Sequence, residues 1–282
     1  MILIHFAPSG AKRAADLQDI YGGCSAVLCG GSPSLKEQPI HMFNERGVLT
    51  MAINNAAIHF KPTMWVSGDN PNCYEPQILL DPSIMKFAPL AHAQVDILGR
   101  KYYQMPNIYF YIQEPNISWE EYLAPRQTVP WYNNTLFVGI NILYNLGVRR
   151  IILAGSEFGF SSTGDIYAHT TKLADLEKKW NLDLYNSLVR ELRMLKPVFD
   201  SAGLQFMDCS QNSRINQVYK HITVEEAVAL CREKFPEKMV DPGSLPHCSK
   251  FAPESIQKRI AEWPGHQVIG EIRREAVGKS IV

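Results

Sequence analysis

Short apolar runs that end in polar or glycine-bearing tips set the rhythm of this chain. Ala26-Val-Leu-Cys29, Val48-Leu-Thr-Met-Ala-Ile53, Thr63-Met-Trp-Val-Ser67 and Arg150-Ile-Ile-Leu-Ala154 are too short for helices and are apolar on both faces. That is the pattern of buried strands in a sheet covered on both sides. Their tips read Gly30-Gly-Ser32, Asn54-Asn55, Gly68-Asp-Asn-Pro71 and Gly155-Ser-Glu157. Further strands are expected at residues 2–6, 85–89, 107–112 and 204–207, the last followed by the polar tip Cys209-Ser-Gln-Asn-Ser213. Strands alternating with helices in this way predict βαβ winding. The expected fold class is α/β: a Rossmann-like, mostly parallel sheet flanked by helices.

Helices are expected at residues 12–21, 33–45, 56–60, 134–147, 171–199 and 223–231. Gly147 supplies the stop for the fourth. In the fifth, Leu173, Leu176, Trp180, Leu184, Leu188, Leu192 and Leu195 recur at threes and fours, a stripe that faces a core, and Lys196-Pro197 bends or ends it. In the sixth, Thr223 and Glu226 form a capping box. Residues 114–132 are rich in Pro, Trp and Tyr and show no period; a segment of that kind is read as a lid or binding loop. Residues 158–167 carry Gly159, Ser161, Ser162, Thr163 and Gly164 and read as a second, mobile loop. Residues 1–235 are taken as one catalytic domain. The prolines and glycines after Pro236 mark residues 236–282 as a C-terminal extension that packs on the domain, covers the site or joins another subunit of a homo-oligomer.

The 282 residues, 46% of them hydrophobic, suffice for a large core. Lys+Arg and Asp+Glu both number 28, and zero net charge does not suit extended, non-specific nucleic-acid binding. No run reaches the ~20 apolar residues of a membrane span, and the apolar run at residues 1–6 is too short for a secretory signal. The six cysteines, with no Cys-x-x-Cys pair, read as reduced thiols in a cytoplasmic setting.

Ligands in parallel sheets bind outside the carboxyl ends of the strands, where all these tips gather. After the strand at 26–29, Gly30 and Gly31 leave the backbone bare, Ser32 offers a cap and Pro33 suits a first helical turn. This is expected to present free N–H groups to a phosphate at a helix N-terminus. Neither the full dinucleotide fingerprint nor a P-loop is present. Asn54, Asn55, Asp69, Asn70, Asn134, Thr135, Ser156, Glu157, Asn212 and Ser213 complete the set, mostly amides and hydroxyls that suit a sugar, a ribose or a base. His169 stands just ahead of the longest helix, where it would take a proton from an acceptor hydroxyl. No histidine spacing points to a metal site.

Taken in order, Gly30-Gly-Ser-Pro-Ser-Leu-Lys-Glu37, Asn54, Asn70-Pro71, Asn134-Thr135, Leu146-Gly147, Ile151-Ile-Leu-Ala-Gly155, His169-Thr-Thr-Lys172 and Cys209…Asn212-Ser213 resemble the bacterial CMP-sialic-acid-dependent sialyltransferases of the Campylobacter type and the bacterial and phage proteins of unknown function related to them. A more distant likeness runs to flagellin-modifying glycosyltransferases and archaeal pterin diphosphokinases. The resemblance covers roughly residues 25–235. It implies a glycosyltransferase without a metal-binding Asp-x-Asp and without a cofactor beyond its nucleotide-sugar co-substrate. The donor's phosphate and ribose would lie near Gly31, Ser32, Asn54 and Asn70, and its base and phosphate near Asn134, Thr135, Gly155 and Glu157. His169 would be the general base. The chain has Gly31-Ser32 where these enzymes have Asn-Gly, Asn134-Thr135 for Thr-Ser, and Glu157 for Asp. The acceptor would be a glycan, a lipid-linked sugar or, if the chain is phage-encoded, a hydroxymethylated base in DNA. Two alternatives stand beside this reading: a phosphotransfer enzyme of the pterin diphosphokinase kind, with Mg²⁺ on Asp69, Glu157 and Asp165, and a non-catalytic nucleotide-binding protein.

Overall fold

A computed structural model describes residues 1–7, 9–159, 168 and 175–234. The main sheet has ten strands: β1 (Leu3–Phe6), β2 (Lys12–Ala15), β3 (Ser25–Cys29), β4 (Thr50–Ile53), β5 (Met64–Val66), β6 (Met85–Pro89), β9 (Ile108–Tyr111), β12 (Arg150–Ala154), β13 (Gln205–Asp208) and β14 (Lys220–His221). Two small ribbons lie outside it, β7 (Asp96–Ile97) with β8 (Arg100–Lys101), and β10 (Gln113–Pro115) with β11 (Val129–Trp131). The α-helices are α1 (Ser34–Glu37), α2 (Pro76–Leu80), α3 (Thr135–Asn145), α4 (Asp175–Ser201) and α5 (Val224–Arg232).

The order across the main sheet is β14-β13-β12-β3-β4-β5-β6-β9-β1-β2. Every pairing from β14 to β9 is parallel, and β1 and β2 close one edge antiparallel. The chain thus runs outward from β3 through β4, β5, β6 and β9, then returns by α3 to lay β12 on the other side of β3. The order reverses between β3 and β12. That reversal is the topological switch point, where two diverging connections leave a crevice at the strands' carboxyl ends.

Alternate residues of each strand feed two cores. Ala26, Leu28, Met51, Val66, Ile151 and Leu153 pack with α3 and α4, while Val27, Cys29, Ala52, Trp65, Ile152 and Ala154 pack with α5 and the short helices. All five residues of β3 are buried. Gly139 lets α3 settle on the sheet, since a Cβ there would stand 3.1 Å from Leu28 Cδ1. Asn134 caps α3 by accepting from the Leu136 N–H at 2.8 Å, and Gly147 ends it with φ +97°, a conformation that glycine takes at little cost. The Thr223–Glu226 capping box closes both ways at the start of α5.

Several expected elements take another form. Residues 12–15 are a strand, not the start of a helix: the free edge of β1 offers four paired residues, more than an isolated short helix can offer. The expected helix over 33–45 breaks at Gln38, the residue before Pro39, which turns extended at ψ 156°. Only the four residues of α1 remain, followed by a 3₁₀ turn at Ile40–Asn44. Pro197 lies within α4, which continues to Ser201. Residues 114–132 are tied down rather than loose. Tyr122 is fully buried and donates to the Phe137 carbonyl, Asn141 donates to the Tyr122 carbonyl at 2.8 Å, and Trp119 stacks on Tyr132 with centroids 3.9 Å apart. Most of the loop at 158–167 and the extension at 236–282 lie outside the described residues. Among the described residues no helix is long and apolar enough to cross a membrane.

Candidate functional site: a cleft at the switch point

A cavity of about 520 Å³ opens at the carboxyl ends of β12, β3, β4 and β5. Its size is that of a small-molecule site. Gly30, Gly31, Ser32, Asn54, Asp69, Asn134, Thr135, Gly155 and Ser156 all line it, together with Asn55. Four separate strand tips and the start of α3 are thereby brought to one rim. A parallel sheet does this of necessity, because the carboxyl ends of its strands lie on one side.

The glycine turn is held by backbone contact. Gly30 donates to the Ala154 carbonyl at 2.8 Å and Ser32 to the Gly155 carbonyl at 3.0 Å, so the tips of β3 and β12 are stitched together across the switch point. A Cβ on Gly30 would meet Ser156 Oγ at 2.4 Å and the Gly155 oxygen at 2.6 Å; one on Gly155 (φ +60°) would meet the Gly30 oxygen at 2.8 Å. Among the described residues a Cβ on Gly31 would find nothing within 4 Å, and Gly31 lines the cleft. The expected row of free N–H groups at a helix start is not there. Gly30 and Ser32 spend theirs on β12 and its tip, the Ser34 N–H goes to Glu157 Oε1, and the residue at the cap of α1 is Pro33, with no side-chain cap bond. A four-residue helix has almost no dipole to offer a ligand.

Glu157 therefore serves the turn from within, and it does not line the cleft. Asn70 caps the 3₁₀ turn Pro71–Cys73 by accepting from the Asn72 N–H at 3.0 Å. Asn212 is exposed at φ +54°, and Ser213 is buried, donating to the Ser156 carbonyl at 3.2 Å. Asn70, Asn212 and Ser213 also stand outside the lining. His169 lies outside the described residues. Its chain neighbour Ala168 is described: it is buried, and its N–H donates to the Gly31 carbonyl at 2.8 Å. Asp165 also lies outside the described residues.

At the far side of the cleft three polar residues form one unit. Tyr74 Oη stands 3.0 Å from Asn54 Oδ1 and 3.1 Å from Asp69 Oδ2. Asn54 is fixed in turn: its carbonyl accepts from Trp65 Nε1 at 2.7 Å, and its φ of +52° is one that asparagine tolerates. Burial, and then the Asp69 charge, push the Tyr74 hydroxyl far above its ordinary pKa. It is a proton donor at every physiological pH. Asp69 itself is exposed, and it is the one charged side chain among the described lining residues. The Asn55 side-chain oxygen is buried with no hydrogen-bond partner among the described residues.

Another part of the wall is apolar: Trp131 and Phe158 come from the two segments read as loops, whereas the share of α4 was not foreseen from the sequence. Trp131, Phe158, Trp180, Leu184, Tyr185 and Leu188 line it. The stripe on α4 explains part of this. Its carboxyl half is core, with Leu188, Leu192 and Leu195 all buried, whereas Trp180 is 65% exposed. The same stripe passes from packing against the sheet to bordering open space. Trp131 comes from β11 and lies against Gly68, where a Cβ would stand 2.6 Å from its ring.

Next to the cleft, Asp208 ends β13 fully buried. Burial pushes its carboxyl up to about 6 despite hydrogen bonds from Ser213 and Ser210. Ser210 Oγ accepts from the Ser156 N–H at 3.0 Å, so this carboxyl borders the cleft floor through one serine. Among the described residues no three His, Cys, Asp or Glu side chains group together to hold a metal ion.

Fold and cleft together define an α/β protein of Rossmann-like build, with a ligand-sized cavity at its switch point. No protein-family model, curated protein or solved structure matches the chain.

Proposed function

We propose that the chain is a glycosyltransferase that needs no metal ion, moving a sugar from a nucleotide-sugar donor to an acceptor hydroxyl, with His169 as general base. One observation carries this reading: amides, hydroxyls and bare glycine backbone from four strand tips share one cavity with an aromatic wall. Neutral groups that both donate and accept suit the hydroxyls of a sugar or ribose. Indole and phenol rings suit the face of a base or the C–H face of a sugar. The open side of Gly31 lets a ligand approach the main chain. The bond between Ala168 and Gly31 ties the residue beside His169 to the same turn, which supports giving His169 to this cleft. In the reaction His169 takes the proton from the acceptor hydroxyl as its oxygen attacks the anomeric carbon. The bond from that carbon to the nucleotide phosphate breaks, and the phosphate leaves with the electron pair.

His169→Ala is the test. Transfer from a panel of nucleotide sugars, measured with and without chelator, is expected to fall 10²–10⁴-fold in the variant, the range for removing a general base. Donor affinity is expected to stay within a few-fold, and chelator to leave the rate unchanged. Full activity in the variant, or loss of activity with chelator, contradicts the proposal.

A further inference from the structure

The described lining of the cleft is electrostatically lopsided. Asp69 is the one charged side chain among its described lining residues, and it stands at the tip of β5. The glycine turn stands at the tip of β3, two strand spacings or about 10 Å away. A ligand phosphate in contact with a carboxylate is repelled, and the repulsion falls with distance. Among the described lining residues this charge favours the Gly31, Ser156 and Thr135 end for a phosphate. What faces Asp69 must instead donate hydrogen bonds.

The carboxylate is built to receive them. Tyr74 Oη lies 3.1 Å from Asp69 Oδ2, a contact in which the hydroxyl donates to the carboxylate and positions it while leaving it exposed to the cavity. The rigidity comes from below, where Trp65 meets the Tyr74 ring edge-on with centroids 5.1 Å apart. Immediately beside Asp69, the Trp131 ring covers Gly68 and lines the same cavity. A fixed carboxylate next to an aromatic surface has two acceptor oxygens for two adjacent hydroxyls and a face for the ring that carries or adjoins them. Charge-assisted bonds of this kind are about twice as strong as neutral ones.

We propose that Asp69, held by Tyr74, binds a vicinal diol of the donor and so orients it with its phosphate toward the glycine turn. This rests on the reading of the cleft as a nucleotide-sugar site. The diol belongs either to the nucleoside ribose or to the sugar.

Calorimetry on the full chain separates the cases. The probes are CMP, UDP, GDP and AMP, their 2′-deoxy counterparts, and CMP-sialic acid, UDP-glucose and GDP-mannose, each titrated into the wild type, Asp69→Ala and Tyr74→Phe. A ribose diol gives tenfold or greater preference for a ribonucleotide over its deoxy form, and Asp69→Ala abolishes that preference. A sugar diol gives no such preference; the attached sugar then tightens binding, and Asp69→Ala removes that gain. In either case Tyr74→Phe weakens the same term by a smaller factor, with thermal stability confirming that both variants fold. If nucleotides bind and Asp69→Ala leaves every affinity unchanged, this inference falls and the wider reading stands. If no probe binds the wild type, both fall.

Discussion

Two adjacent glycines do different work. Gly30 is wedged against Ser156 and the Gly155 backbone, so Gly30→Ala forces the tips of β3 and β12 apart. Crowding of this kind costs about 1–3 kcal/mol, and denaturant unfolding is expected to show a loss in that range. Among the described residues nothing crowds a Cβ on Gly31, and its φ is not positive, so Gly31→Val is expected to unfold within about 0.5 kcal/mol of wild type, as surface changes do. Asp208 gives a prediction in pH. Its folded pKa of about 6 lies above the ordinary 3.8, so the folded state holds the proton more tightly than the unfolded chain. Its stabilising contribution is full below about pH 4 and is lost as pH rises through 6. Denaturation at pH 4 and pH 7 is expected to show this loss, on the order of 2 kcal/mol, in wild type relative to Asp208→Asn. Equal pH dependence in the two proteins contradicts the assignment. Of these residues, Gly30 and Gly31 were legible in the sequence, because glycine after a buried strand signals a tight backbone approach. The bond between Asp69 and Tyr74 was not. It spans a single 3₁₀ turn and leaves no periodic trace.

At the scale of elements, α4 joins core to cleft. Leu192 is fully buried in the core between α4 and the sheet, and Leu192→Ala is expected to cost 2–5 kcal/mol. Trp180 sits on the same stripe three turns earlier but is 65% exposed, and Trp180→Ala is expected to cost under about 0.5 kcal/mol. That variant should weaken nucleotide-sugar binding several-fold, as read by titration. A large loss of stability would show that Trp180 is core after all. Periodicity identified the stripe but not where it leaves the core, since threes and fours look alike whether the facing surface is protein or open space. The break of the expected helix at 33–45 was written in Pro39. The capture of the α1 N-terminus by Glu157 was not, because it joins residues 123 positions apart. Residues 12–15 pair as a strand for a similar reason: the edge of β1 is not visible in local propensity.

At the scale of the molecule, winding order makes the site. The main sheet reverses between β3 and β12, and the strand tips named from the sequence converge there because parallel strands end on one side. Asn70, Glu157, Asn212 and Ser213 share that side yet stand off the cleft lining. Topology sets the rim, whereas the few ångströms that decide lining from support depend on turn geometry. The central claim is that this crevice holds a nucleotide, with Gly31 at its floor. Titration calorimetry of the full chain with CMP, UDP, GDP and ATP, on wild type and on Gly31→Val, tests it most directly. Saturable binding of at least one nucleotide to wild type, weakened tenfold or more by Gly31→Val at unchanged thermal stability, is the expected result. No binding by wild type, or equal binding by both proteins, would contradict it.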